Sequence, residues 1–188
     1  MKRVGVCPFF YNLSFYILKN IITFVLVIKK KYKVMNIFIL DMDTKKASEY
    51  HVDKHIVKMP LETAQMLCTA HYENSNLITP YKKTHINHPC NKWTRESIMN
   101  YRWLIELGLN LCDEYEFRYK RVHKCKEVIL WCKKNEPNLP NVAMTKFALA
   151  MPNEFKMSCA IESYRAYYNG EKRHIYAWKG RFQPSWAQ

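Results

Sequence analysis

Two imidazoles, a primary amine, a carboxylate and an amide recur along one short stretch of this 188-residue chain. In residues 50–70, YHVDKHIVKMPLETAQMLCTA, the residues His51, His55, Lys58, Glu62 and Gln65 follow one another at spacings of 4, 3, 4 and 3. On a helix those spacings gather all five within an arc of about 80°. These are the groups that proton transfer and nucleophilic attack use. A neighbouring arc of about 100° holds Val52, Ile56, Met59, Thr63, Met66, Leu67 and Ala70, the core face of an amphipathic helix. The bland reading of the polar arc is a solvated face. Two details set it apart. Surface helices favour Glu–Lys pairs over this mixture. Pro60 also falls inside the pattern, so a kink or a split is expected there.

A second amine enters through the start of the chain. Residues 1–34 look foreign to the rest. Residues 9–28 are apolar except where Asn12, Lys19 and Asn20 interrupt them, and KKKYK follows. Length and flanks suit a membrane anchor or an uncleaved signal, although Lys19 makes insertion costly, by about 2.5–3.5 kcal/mol. The reading favoured here is mistranslated upstream DNA, since Phe, Tyr, Ile, Lys and Asn dominate residues 9–34 as AT-rich codons would dictate. Met35 is then the true start, and an α-amine at Asn36 precedes the helix carrying His55 and Glu62. An α-amine has a reference pKa of about 7.7–8.0, so a useful fraction is neutral at pH 7. Such an amine can attack a sugar C1′ and form an imine. A nearby carboxylate would stabilise the developing positive charge and move protons in a later elimination.

DKHIVKMPLETAQ, residues 53–65, resembles the Asp-x-His-(six residues)-Glu helix of the pyrimidine-dimer DNA glycosylase family of the endonuclease V type, encoded by phages, other viruses and bacteria. Asp53, His55 and Glu62 match in type and spacing. The downstream THINHPCNKW and the long aromatic, charged helix after it are similar to the family's His-containing loop and following helix. WKGRFQPSW is similar to its terminal segment. The resemblance implies a small, mostly helical, monomeric enzyme without a cofactor or metal. Such an enzyme breaks the glycosyl bond of damaged double-stranded DNA with its N-terminal amine and nicks the strand by β-elimination. It implies Glu62 as the catalytic carboxylate, His55 as a group that shapes the site and grips DNA, Asn36 as the amine, and an intracellular place of action, in the cytoplasm or nucleus of a host cell. Leu61 and Gln65 stand where phage members carry arginines, and Asn36 where the family has Thr. Lys58, one turn from Glu62, is a substitute amine.

Two other constellations compete. His51, His55, His85 and His88 could form a metal shell for a metal-dependent nuclease or phosphodiesterase. The second-position Glu of a zincin helix is absent, because Asp53 does not fill it. Cations interleave with aromatics in the tail, residues 171–188. Lys179 and Arg181 there, with Lys82, Lys83, His85, His88, Arg95 and Arg102, are the candidate DNA contacts. Tyr164, Tyr168, Trp178 and Trp186 fit core packing as well as stacking. A non-catalytic, membrane-tethered binding module is a third reading, and it requires residues 1–34 to be real.

The elements that would position these groups are read as helices. Residues 1–34 hold seven of the 30 Lys and Arg and no acid, leaving 23 basic against 16 acidic side chains in residues 35–188. That excess, with 14% aromatics, is compatible with a polyanionic partner. The seven cysteines are scattered, with no C-x-x-C pair, which fits a reducing compartment and excludes a zinc ribbon. Residues 36–41, NIFILD, are a strand or a buried lead-in. Asp41, Asp43 and Thr44 offer caps for a helix that starts near Lys45 and runs on through the central stretch. Residues 73–80 and 81–91 read as loops. A long helix is expected over 94–119, capped by Thr94, with Ile98, Tyr101, Ile105, Leu109, Cys112, Tyr115 and Tyr119 buried. Further helices are expected over 123–134 and over 159–169, the last ended by Gly170. The expected fold is mainly α, a single compact helical bundle over 35–188 with long irregular loops.

Overall fold

A computed structural model of the chain describes residues 35–188, apart from the Glu73 side chain. The anchor, signal and mistranslation readings of residues 1–34 lie outside the described residues. Contacts divide the chain into Met1–Val34 and Met35–Gln188. The second unit is a packed bundle of six α-helices, with no strand among the described residues. No helix among them is long and apolar enough to cross a membrane.

Residues 36–41 form a buried lead-in rather than a strand, with Ile37, Phe38, Ile39 and Leu40 in the core. Helix α1, Thr44–Tyr50, starts where the sequence indicates. Asp43 Oδ1 accepts from the backbone N–H of Lys45 at 2.9 Å and of Lys46 at 3.0 Å. It does not run on into the central stretch. His51 and Val52 are extended, and α2 begins afresh at Asp53. The break persists because other elements satisfy its backbone. Arg118 donates to the carbonyls of Glu49 and His51, each at 2.9 Å, and Asp53 N–H reaches Ala177 O at 2.9 Å.

Helix α2, Asp53–Asn74, passes through Pro60 without being split. Proline removes one ladder donor. The apolar arc outweighs that loss, since Val52, Ile56, Met59, Thr63, Met66, Leu67 and Ala70 are all buried. In the turn preceding Pro60, His123 Nε2–H supplies a donor to Val57 O at 3.1 Å.

The long helix expected from Thr94 is two helices, α3 (Pro89–Glu96) and α4 (Ile98–Tyr119). Ser97 is extended between them, and its hydroxyl caps α4 by accepting from Met99 N–H at 3.0 Å. Thr94 is no cap; its hydroxyl turns back to Cys90 O at 2.8 Å. Helix α4 packs against α1, α2, α3 and α5 (Cys125–Lys134). A Cβ on Gly108 would lie 2.6 Å from Thr63 Cγ2 and 3.0 Å from Ile129 Cδ1, so the glycine permits the close approach of α4, α2 and α5. Helix α6, Ala160–Tyr167, is not stopped by Gly170. The chain continues in a wider π-type turn, Tyr168–Lys172, and a 3₁₀ turn, Arg173–Ile175. Gly170 is needed there for a different reason: a Cβ would lie 2.5 Å from Phe155 Cε1.

Candidate active site

Glu62 sits in the middle of α2 and is only 7% exposed. Its two oxygens are separately engaged. Oε2 accepts from the main-chain nitrogen of Asn36 at 2.9 Å, across 26 residues of sequence. Oε1 meets Lys58 Nζ, one turn back on the half-exposed side of the helix, at 2.6 Å. The main-chain N–H and the lysine amine together hold this buried carboxylate with both oxygens engaged. The lead-in makes this possible. Its apolar residues enter the core and draw Asn36 down onto α2.

The two histidines of the arc turn inward. His55 is 8% exposed, its Nδ1 hydrogen-bonds the Tyr168 hydroxyl, and its ring stacks on Phe38 at 4.4 Å between centroids. Burial above all, then the positive charges of His51, Lys172 and Lys58 when present, push its pKa well below the usual histidine value. A buried, neutral imidazole is a wall of the site. In the structure the partners of His55, expected to shape the site and grip DNA, are the Phe38 ring and the Tyr168 hydroxyl. His51 is fully buried and donates Nδ1–H to Ala47 O at 2.6 Å, and burial lowers its pKa to about 4.

His85 and His88 lie on the loop before α3. His85 is exposed in a left-handed backbone conformation, φ 47°, with Thr84 Oγ1 at its Nδ1. His88 Nδ1 accepts from Cys90 N–H at 3.2 Å and caps α3. The four-histidine shell is thus not assembled: two rings are spent in the core and one on a helix cap. No group of three His, Cys, Asp or Glu side chains suited to a metal occurs among the described residues.

The basic candidates divide. Lys82 and Lys83 are exposed on the loop that Thr84 pins to α2, where Thr84 N–H donates to Thr69 Oγ1 at 3.2 Å. Lys179 is exposed, with Nζ 5.4 Å from the centre of the Tyr119 ring. Arg95 is half-buried and donates to Ile86 O at 3.1 Å. Arg102 and Arg181 are committed elsewhere. Arg102 makes a bidentate pair with Glu136 at 2.8 and 2.7 Å. Arg181 pairs with Glu114 at 3.1 and 2.9 Å and with Glu49 at 3.4 Å. Asp53, part of the family-like pattern, belongs to the same network, held by the buried Arg118 at 2.8 Å. Its place is structural: it ties the start of α2 to α4 and to the Lys179 amide at 3.0 Å.

Sequence reasoning missed Phe38 and Cys90, and placed Tyr164 and Tyr168 only among core or stacking aromatics. The two tyrosines, four apart on one face of α6 and its continuation, are both fully buried against the lead-in and the site. Their helical spacing was a visible signal; their contact with Asn36 and His55 was not. A cavity of about 340 Å³ between α1, α4 and the tail is lined by Lys45, Glu49, Glu114 and Arg181 among others, and it includes none of Glu62's partners. No family model, curated protein or solved structure matches this chain.

Proposed function

We propose that this protein is a DNA-repair glycosylase with abasic-site lyase activity, acting on damaged double-stranded DNA as an intracellular monomer. One observation carries the reading: the main-chain nitrogen of Asn36 lies 2.9 Å from the buried Glu62 carboxylate. When the chain starts at Met35 and that residue is removed, this nitrogen is an α-amine, already beside its general base.

The chemistry balances without a cofactor. The neutral amine attacks C1′ of an extruded nucleotide, forming an N–C1′ bond. The glycosyl bond breaks, and the base leaves with a proton. The C1′–O4′ bond breaks as O4′ takes a proton from water, and the sugar ring opens to an iminium. Glu62 removes a C2′ proton, the C3′–O bond breaks, and water hydrolyses the imine to return the amine. Lys58, paired with Glu62 at 2.6 Å, keeps that carboxylate in place on the half-exposed side of α2. Lys82 and Lys83, exposed on the loop pinned beside Thr69, offer positive charge to a phosphate. Leu61, 41% exposed next to Glu62, offers an apolar side chain to the gap left by an extruded base. A metal-dependent nuclease built on the four histidines has no comparable geometric support.

Borohydride trapping on ultraviolet-irradiated duplex and on a duplex with one abasic site tests the proposal. A covalent adduct mapped to Asn36, insensitive to chelator and abolished by Glu62→Gln, is the expected result. Strand nicking that needs a divalent metal and leaves no adduct would overturn it, as would isolation of an active protein whose first residue is Met1.

A further inference from the structure

Asn36 is held by its side chain in a way the amine chemistry alone does not require. Its Oδ1 faces three donors: Ile37 N–H at 2.8 Å, the Tyr164 hydroxyl at 3.1 Å and the Cys90 thiol at 3.6 Å. Its Nδ2 donates to Ala150 O at 2.9 Å. Donors on one side and a carbonyl on the other allow the amide only one orientation. Chain ends usually fray unless something ties them down. A nucleophilic terminal nitrogen poses a particular difficulty, because it must leave its hydrogen bond to attack. The tie therefore has to be made by the side chain.

We infer that Tyr164 and Cys90 are positioning residues that hold the Asn36 nitrogen on Glu62, an inference that rests on the glycosylase–lyase reading. Tyr164 comes from α6 and Cys90 from the first turn of α3, so two elements distant in sequence converge on the start of the lead-in. Both side chains are fully buried. Burial pushes the Cys90 thiol up to about 12 and the Tyr164 phenol well above its usual value, so each keeps its proton at neutral pH and can donate it. The single Tyr164 proton lies between Asn36 Oδ1 and Ala148 O at 2.8 Å, while its oxygen accepts from Ala150 N–H at 3.3 Å. The irregular segment 148–150 is thereby threaded between Tyr164 and Asn36. Losing the hydroxyl would loosen the amine and its nearest wall together.

The test uses protein isolated after expression of the full reading frame and a duplex with one abasic site at saturating concentration. Tyr164→Phe and Asn36→Ala should each slow borohydride-trapped adduct formation by about 10- to 100-fold, with DNA affinity changed by no more than about twofold. The double variant should be slowed by clearly less than the product of the two single effects, since the Tyr164–Asn36 bond is lost in both. Cys90→Ser keeps a donor and should react within about threefold of the parent, whereas Cys90→Ala should be slower than Cys90→Ser. Near-ultraviolet circular dichroism monitors the fold throughout. Undiminished trapping by Tyr164→Phe, or single effects that multiply in the double variant, refutes the positioning role while leaving the glycosylase reading intact. Absence of an adduct with the parent protein refutes that reading and the inference with it. If Tyr164→Phe does not fold, the Asn36→Ala rate and the order of Cys90→Ser over Cys90→Ala decide the matter, and equal rates for the two Cys90 variants count against the role.

Discussion

Lys58 and Asn36 both present nitrogen to Glu62, and the geometry distinguishes them. Lys58 Nζ is ion-paired on the half-exposed side of α2, and an ammonium in that state is not a nucleophile. The Asn36 nitrogen is enclosed, with its direction fixed by the residues around it. Lys58→Ala should therefore still yield a trapped adduct mapped to Asn36, and an adduct lost with Lys58 would identify the wrong amine. The buried imidazoles give a second test at this scale. The folded state holds the His51 pKa near 4, against about 6.5 for an unfolded histidine. As pH falls, the unfolded chain takes up the proton first. Stability is then full above about pH 6.5 and declines toward pH 4 by on the order of 3 kcal/mol for His51 alone. His55, lowered in the same direction, adds to the loss. Urea unfolding midpoints at pH 7 and pH 4.5 measure it, and a flat profile would contradict the burial of both rings.

At the scale of elements, α2 carries the site because its two arcs do different work. The apolar arc buries the helix against α4 and α5, and the polar arc turns Glu62 toward the lead-in. Gly108 sets the distance between α4 and α2, with Thr63 next to Glu62 in sequence and in contact with the glycine's missing Cβ position. Gly108→Ala should cost about 1–3 kcal/mol through overpacking, despite the better helix propensity of alanine. Chemical denaturation measures the loss. A stabilised variant would mean that Thr63 and Ile129 can yield, and that the helices are not in their closest contact. The Arg118 network acts at the other end of α2. It makes the break between α1 and α2 possible by satisfying the Glu49 and His51 carbonyls and by pairing with Glu114 at 2.7 Å.

At the scale of the molecule, the basic excess of residues 35–188 is only partly available to a polyanion such as the proposed DNA substrate. Arg102 and Arg181 are neutralised by carboxylates, and Lys126 is held by Asp113 at 2.7 Å and faces Glu116 at 3.5 Å. The exposed lysines Lys82 and Lys83, on the loop pinned to α2, are uncommitted to any such bidentate pair. Each phosphate contact contributes about 0.9 to the slope of log K against log salt, so Lys82→Ala with Lys83→Ala should reduce that slope by about 2. Arg102→Ala should leave it unchanged. Fluorescence anisotropy with a short duplex between 50 and 200 mM salt, about the range over which such slopes are read, makes the comparison. Equal effects from both substitutions would place the DNA on a different face.

The one-dimensional pattern determined the helical class, the core face of α2 and the cap at Asp43, because periodicity and capping are local properties of consecutive residues. Tertiary structure alone decided the rest. Ser97 splits a helix that periodicity would run together, and Arg118 holds open a break that no local signal marks. His51 and His55 share a stripe with Lys58 and Glu62, yet packing against Phe38 and Tyr168 takes the two rings out of water. Arg102 and Arg181 look like free charge until their partners, Glu136 and Glu114, are brought to them. The meeting of Asn36, Glu62, Cys90 and Tyr164 spans 128 residues of chain, and only the collapse of the lead-in into the core brings it about.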